Sequence, residues 1–120
     1  MKLLSCTEKE ALSLKISKQL TLSWRMSINP MKVELNGEIV ALIDCSFGGI
    51  YGEDSLEIDN FEVFEKGRGI GSKIIKEILN EPGIQIISLY YCSPKSKKFW
   101  QAHGFKIVCE GEAERLVYQK

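Results

Sequence analysis

The sequence predicts a mixed α/β fold of the α+β kind: a mixed sheet, antiparallel at the start, with helices packed on it. Three observations carry this prediction. Asn36-Gly37 stands between the apolar runs Lys32–Leu35 and Glu38–Cys45, and such a pair marks a tight hairpin because both turn positions take positive φ. A strand pattern over Leu56–Phe64 leads through a glycine-rich loop into a segment where Ile70, Ile74, Ile75, Ile78 and Leu79 share one side of a helix. Ile84–Tyr91 is apolar and β-rich, the pattern of a buried strand that runs parallel to its neighbour.

The remaining elements follow in chain order. Met1–Ser5 can form a short strand. Thr7-Glu8-Lys9-Glu10 reads as a capping box that opens a helix near residues 8–18, with Leu12, Ile16 and Leu20 at helical spacing. Leu20, Leu22, Trp24 and Met26 then alternate with polar residues, a period of two that leaves both strand and helix open. Pro30 breaks the chain before the hairpin, and the glycines at 48, 49 and 52 mark a turn after it. On the strand over Leu56–Phe64, alternation puts Glu57, Asp59, Phe61 and Val63 on one face and Leu56, Ile58, Asn60 and Glu62 on the other. Pro82-Gly83 ends the following helix, which spans 70–80. Ser93-Pro94 opens another, with Ser93 as N-cap and Pro at the first helical position, and Gly104 closes it. Phe105–Glu110 and Arg115–Gln119 form a closing hairpin around Gly111.

A length of 120 residues suits a single domain over 1–120. Sixteen basic residues balance sixteen acidic ones, which argues against bulk nucleic-acid binding. No apolar run reaches the ~18 residues of a membrane helix, and no signal-peptide pattern opens the chain. A cytoplasmic protein with neither nucleic acid nor membrane as partner is expected. Cys6, Cys45, Cys92 and Cys109 lie far apart and His103 is the only histidine. These spacings suit reduced thiols rather than a metal site.

The loop Gly67-Arg68-Gly69-Ile70-Gly71-Ser72 lies between strand and helix. Glycines there let successive backbone N–H groups converge on an anion at the positive end of the helix, and Lys66 and Arg68 add charge. The run lacks the lysine and spacing of a Walker A loop, and Ser72 stands where a dinucleotide fingerprint has its last glycine.

The run Lys66-Gly67-Arg68-Gly69-Ile70-Gly71 resembles the motif Q/R-x-x-G-x-G/A of the GNAT N-acetyltransferases. Val63 matches the valine that ends the fourth strand of that family. The hairpin Asn36-Gly37-Glu38-Ile39-Val40 is similar to its second and third strands. Ser93 through Phe105 resembles its second motif, an aromatic pair followed by three residues and Gly-Phe. The likeness covers roughly residues 31–110, in the family's order. Three positions depart from the pattern: Lys66 replaces Gln or Arg, Ser93 stands where many members have Asn, and Trp100 stands where many have a tyrosine acting as general acid. The loop between Val63 and Gly67 is also shorter than usual.

The resemblance implies a GNAT-like mixed, mostly antiparallel sheet with a splayed central pair, Leu56–Phe64 and Ile84–Tyr91, and helices on both faces. It implies acetyl-CoA as co-substrate, no metal, and direct attack of an amine on the thioester. The pyrophosphate would lie on Gly67, Arg68, Gly69, Ile70, Gly71 and Ser72, with Lys66, Ser93 and Trp100 also near the cofactor. The pantetheine would pair along Phe61–Val63. Glu57 and Asp59 are the candidate bases for the amine, and Tyr91 or Tyr90 the candidate donor to the thiolate. The partners expected are a small-molecule or peptide amine and, in a homodimer, a second copy. The competing reading is a GNAT-like module that holds acyl-CoA without turnover.

Overall fold

The computed structural model describes residues 1–91 and 93–120. Among these the fold is mixed α/β, with strands β1 (Lys2–Ser5), β2 (Pro30–Leu35), β3 (Glu38–Phe47), β4 (Ser55–Val63), β5 (Ile86–Leu89), β6 (Lys106–Glu110) and β7 (Ala113–Gln119). The helices are α1 (Glu8–Ser17), α2 (Ile70–Leu79) and α3 (Pro94–Ala102). The strand order is β1-β2-β3-β4-β5-β7-β6. The β1–β2, β2–β3, β5–β7 and β6–β7 ladders are antiparallel, and β4–β5 is parallel. The chain forms two compact units, one from Met1–Cys45 and Asp59–Glu77, the other from Ser46–Ile58 and Ile78–Lys120.

In the first unit, Asn36 and Gly37 turn the β2–β3 hairpin with φ of 52° and 81°, the positive values that their sequence predicts. The capping box of α1 is complete: Glu10 N–H donates to the Thr7 hydroxyl and Thr7 N–H to the Glu10 carboxylate, both at 3.1 Å. Of the apolar residues expected at helical spacing from α1, Leu20 joins the core cluster of Cys6, Ala11, Trp24 and Leu42 and Leu12 packs against it, but Ile16 is corrected: it is 80% exposed, and Ala11 is the buried residue of the helix. The alternating stretch Leu20–Met26 is neither strand nor helix. Gln19, Trp24 and Met26 have positive φ, so the chain cannot hold the extended backbone that a period of two suggests. On α2, Ile74 and Ile75 are buried as the helical spacing requires.

In the second unit, β5 pairs with β4 over Ser55↔Ile86 to Ile58↔Leu89. The strand is shorter than the expected Ile84–Tyr91 at both ends. Ile84 and Gln85 donate their N–H groups to Glu81 O and Asp54 O instead of entering the ladder, and Tyr90 and Tyr91 lie beyond the last pair. Cys92, which the sequence places beside them, lies outside the described residues. Helix α3 opens on Ser93, whose hydroxyl accepts from Ser96 N–H at 3.1 Å, and closes on His103. Its Trp100 meets Phe99 and Phe105 edge-on at 5.2 and 5.1 Å, and Phe105 continues to Tyr118 at 5.5 Å. No helix among the described residues is long and apolar enough to cross a membrane.

Candidate functional site

The glycine loop begins where β4 ends. Gly67 and Gly69 have φ of 80° and 73°, a region closed to most side chains. A Cβ at either would meet nothing within 4 Å, so the loop backbone is open on that side. Lys73 N–H donates to Gly69 O at 3.1 Å, which starts α2 at the loop and leaves its first N–H groups for an outside acceptor. The charged side chains expected beside this backbone have acidic partners a few residues away in the chain. Lys66 Nζ lies 3.8 Å from Glu62, and Arg68 is ion-paired with Glu65. Both cations are mostly exposed, so these pairs are weak and can yield to a stronger anion.

A cleft of about 480 Å³ opens beside the loop. Arg68, Gly69, Ile70 and Lys73 line one side, Lys18 and Phe64 stand near them, and the hairpin turn from Leu35 to Val40 forms the rest. Of the loop residues proposed from sequence, only Arg68, Gly69 and Ile70 line the cleft.

Glu62, on the face of β4 opposite Glu57, is buried. It accepts from Thr21 N–H at 2.6 Å, the Thr21 hydroxyl at 2.9 Å, Leu22 N–H at 3.1 Å and the Trp24 indole at 3.0 Å. Burial pushes its carboxyl up, but these hydrogen bonds outweigh burial and hold it below the usual value. Asp44 plays a matching part: its two oxygens accept from Ile28 and Asn29 N–H at 3.1 and 2.8 Å. Two acids thus accept the backbone N–H groups of Thr21, Leu22, Ile28 and Asn29, in a stretch that has no ladder of its own. The sequence signal for this was an aspartate inside the apolar run Ala41–Cys45.

The second unit holds a cluster that sequence reasoning found only in part. Arg115 on β7 is 6% exposed. One guanidinium nitrogen donates to Glu57 Oε1 at 3.1 Å and Ser88 Oγ at 3.2 Å, and the other to the Tyr90 hydroxyl at 2.9 Å. The guanidinium carbon lies 4.4 Å from the Tyr90 ring centre and 6.0 Å from that of Tyr51. Glu57 is therefore an ion-pair partner. Arg115 escaped the sequence reading because Glu57 lies 58 residues away, beyond any local pattern. The Tyr91 hydroxyl donates to Glu114 Oε1 at 2.8 Å, and Lys97 stands 3.7 Å from the same carboxylate.

The other residues proposed from sequence fall as follows. Asp59 is exposed, and Phe61 and Val63 are half-buried near the end of β4. Gly71 and Ser72 lie in the first turn of α2. Ser93 is occupied as an N-cap. Trp100 is 4% exposed within its aromatic row. Among the described residues no group of three or more His, Cys, Asp or Glu is gathered as metal ligands.

The backbone is similar to those of solved acetyltransferases. An acetyltransferase from Thermus thermophilus matches with a TM-score of 0.73 at 19% identity, over 99% of this chain and 96% of that one. Aminoglycoside acetyltransferase AAC(6')-Ib, solved with coenzyme A and kanamycin, matches with a TM-score of 0.61 at 15% identity, over 99% and 94%. The GNAT domain of S. lividans PAT matches with a TM-score of 0.59 at 21% identity, over 88% and 68%. The chain has the GNAT fold. No family model matches it, and neither does any curated protein sequence.

Proposed function

We propose that this chain is an N-acetyltransferase that carries an acetyl group from acetyl-CoA to an amine by direct attack. The observation that carries the reading is the open glycine turn at the head of α2, with Gly67 and Gly69 at positive φ, in a chain of GNAT fold. The first N–H groups of α2 and the loop backbone would bind the pyrophosphate, and Lys66 and Arg68 would turn from their acidic neighbours toward it. Phe61–Val63 would offer the strand along which the pantetheine amides pair.

An amine is protonated near neutral pH and must lose a proton before it attacks. Asp59, exposed on β4, is the proposed base. Glu57 shares its face by alternation, but its Oε1 is committed to Arg115. The solved structure with coenzyme A and kanamycin supports an acyl-CoA co-substrate and an amine acceptor here.

A second reading, a module that holds acyl-CoA without turnover, draws on Trp100. It occupies the family's tyrosine position, cannot serve as an acid, and is buried in the core of its unit.

Thermal unfolding with added ligand tests both readings. Acetyl-CoA at 100 times its dissociation constant should stabilise the chain by about 2.7 kcal/mol, and ATP and NAD should leave it unchanged. Gly69→Val should abolish the shift because a side chain blocks the backbone, the apo melting point of the variant serving as reference for strain. Absence of any shift with acetyl-CoA overturns the proposal. Thiol release with a panel of amines, amino acids and peptides then separates enzyme from module.

A further inference from the structure

Strand β6 is an edge of the sheet, so one side of its backbone faces no ladder. Its pairs with β7 run without a shift from Lys106↔Val117 to Glu110↔Ala113. Gly111 and Glu112 form the two-residue turn between the strands, Gly111 with φ of 62°. A turn of this length is closed by a hydrogen-bonded pair, here Glu110↔Ala113, and such pairs alternate along an antiparallel ladder. The backbone groups of Lys106, Val108 and Glu110 therefore point at β7, and those of Ile107 and Cys109 point away from it. Ile107 is 37% exposed and Val108 40%, and Lys106 and Cys109 are exposed as well. Natural edge strands are blunted by a proline, a bulge or an inward-pointing charge. The run Lys106–Glu110 has no proline, its ladder has no bulge, and its three central residues are uncharged.

We propose that β6 pairs with β6 of a second copy, antiparallel about a twofold axis at Val108, so that the sheet continues through a homodimer. The occupant is a second copy because this edge is complementary to itself. The axis sets Ile107 of one copy opposite Cys109 of the other, and these are the residues whose N–H and C=O groups point outward. Each such pair exchanges both of its hydrogen bonds, and the axis generates the pair twice. The same register sets position 106, a lysine, opposite position 110, a glutamate, at both ends, and opposite charges across a strand pair are favourable. An axis at Cys109 would instead set Ile107 against Gly111 in the turn. The other edge strand, β1, reads Lys-Leu-Leu-Ser; with a lysine and no acid it has no charge match with itself. A contact of β1 with β6 would be head-to-tail and would grow into open chains. The pairing lies wholly in the second compact unit, uses the edge of the strand and leaves its faces free. It does not depend on the acetyltransferase reading.

Self-association and cross-linking test the pairing. Sedimentation equilibrium should give twice the chain mass of 13.6 kDa at about 100 µM and a falling mass on dilution, since so small an interface associates weakly. Ile107→Pro removes an N–H that the β6–β7 ladder does not use. Its melting temperature should change by less than about 5 °C, and it should stay monomeric at the same concentration. Val108→Cys puts a thiol on the axis, where the facing Cα atoms of a non-hydrogen-bonded pair lie ~4.5 Å apart, within the span of a disulfide. Cys109 of the two copies would lie on a diagonal of ~7–8 Å, beyond that span. With Cys109→Ser in the same chain, Val108→Cys should cross-link under diamide at least about tenfold faster than wild type does through Cys109, as read by peptide mapping. The cross-linking decides alone should Ile107→Pro fail to fold. A monomer at every concentration, a folded Ile107→Pro variant that still dimerises, Cys109 cross-linking as fast as Val108→Cys, or species that grow beyond a dimer overturns the proposal. The acetyl-CoA melting shift is read separately, so failure of the pairing and failure of the acetyltransferase reading are distinct results.

Discussion

The indole N–H of Trp24 donates to Glu62 Oε1 at 3.0 Å across 38 residues of chain. This bond is one of four that converge on the Glu62 carboxylate from residues 21–24. Trp24 is fully buried, so loss of the carboxylate would strand its N–H without water. Glu62→Ala should lower the unfolding free energy by about 2–4 kcal/mol, read from the urea midpoint at constant slope. Trp24 fluorescence in the folded variant should also shift as its environment changes. A change below about 0.5 kcal/mol would show that the segment is held by its apolar packing alone.

The same carboxylate sets an acid limit. Its folded pKa lies below the ordinary 4.5, so protons bind the unfolded chain first as pH falls. The stabilisation is complete above about pH 4.5 and is lost as pH drops through the lower folded value. Glu10 behaves alike, held down chiefly by its hydrogen bond from Lys32. Unfolding free energy should therefore decline below about pH 4.5, and Glu62→Gln should have a shallower decline. Equal acid slopes for the two proteins would remove Glu62 from the account.

Thiol reactivity should follow burial. Cys109 is exposed, whereas Cys6 and Cys45 are buried. Burial, then the nearby Asp44 and Asp59, push the Cys45 thiol up to about 11, which leaves almost no thiolate at neutral pH. Under native alkylation with iodoacetamide at about pH 8, near the ordinary thiol range, peptide mapping should find Cys109 modified well before Cys45. Modification of Cys45 at the rate of Cys109 would mean that β3 opens locally in the native state.

Glu57 and Asp59 should separate in kinetics. Asp59→Asn should lower kcat by roughly 10²–10⁴-fold with acetyl-CoA binding retained, the signature of a lost base. Glu57→Gln removes the carboxylate that balances Arg115 and should cost about 1–3 kcal/mol of stability as well. A rise in KM at unchanged kcat in Asp59→Asn would assign that residue to attracting the cationic amine instead.

What the sequence by itself determined is local. The Asn36-Gly37 hairpin, the Thr7–Glu10 capping box, the Ser93 cap and the glycine turn before α2 each need only neighbours in the chain, because their hydrogen bonds and φ values close within a few residues. The apolar face of α2 was legible for the same reason, since helical periodicity places Ile74, Ile75 and Ile78 together without reference to the rest. Tertiary structure alone decided what long-range polar contacts decide. Residues 20–26 alternate like a strand, but the carboxylate of Glu62 binds the N–H groups of Thr21 and Leu22, and Trp24 and Met26 take positive φ. Glu57 and Asp59 look equivalent in sequence, yet Glu57 is bound to Arg115 in a contact that spans 58 residues. Tyr90 and Tyr91 are adjacent phenols whose hydrogen bonds differ in direction, because packing brings a donor to one and an acceptor to the other. A hydrogen bond's direction depends on the group opposite, and no periodicity in the chain records which group that will be.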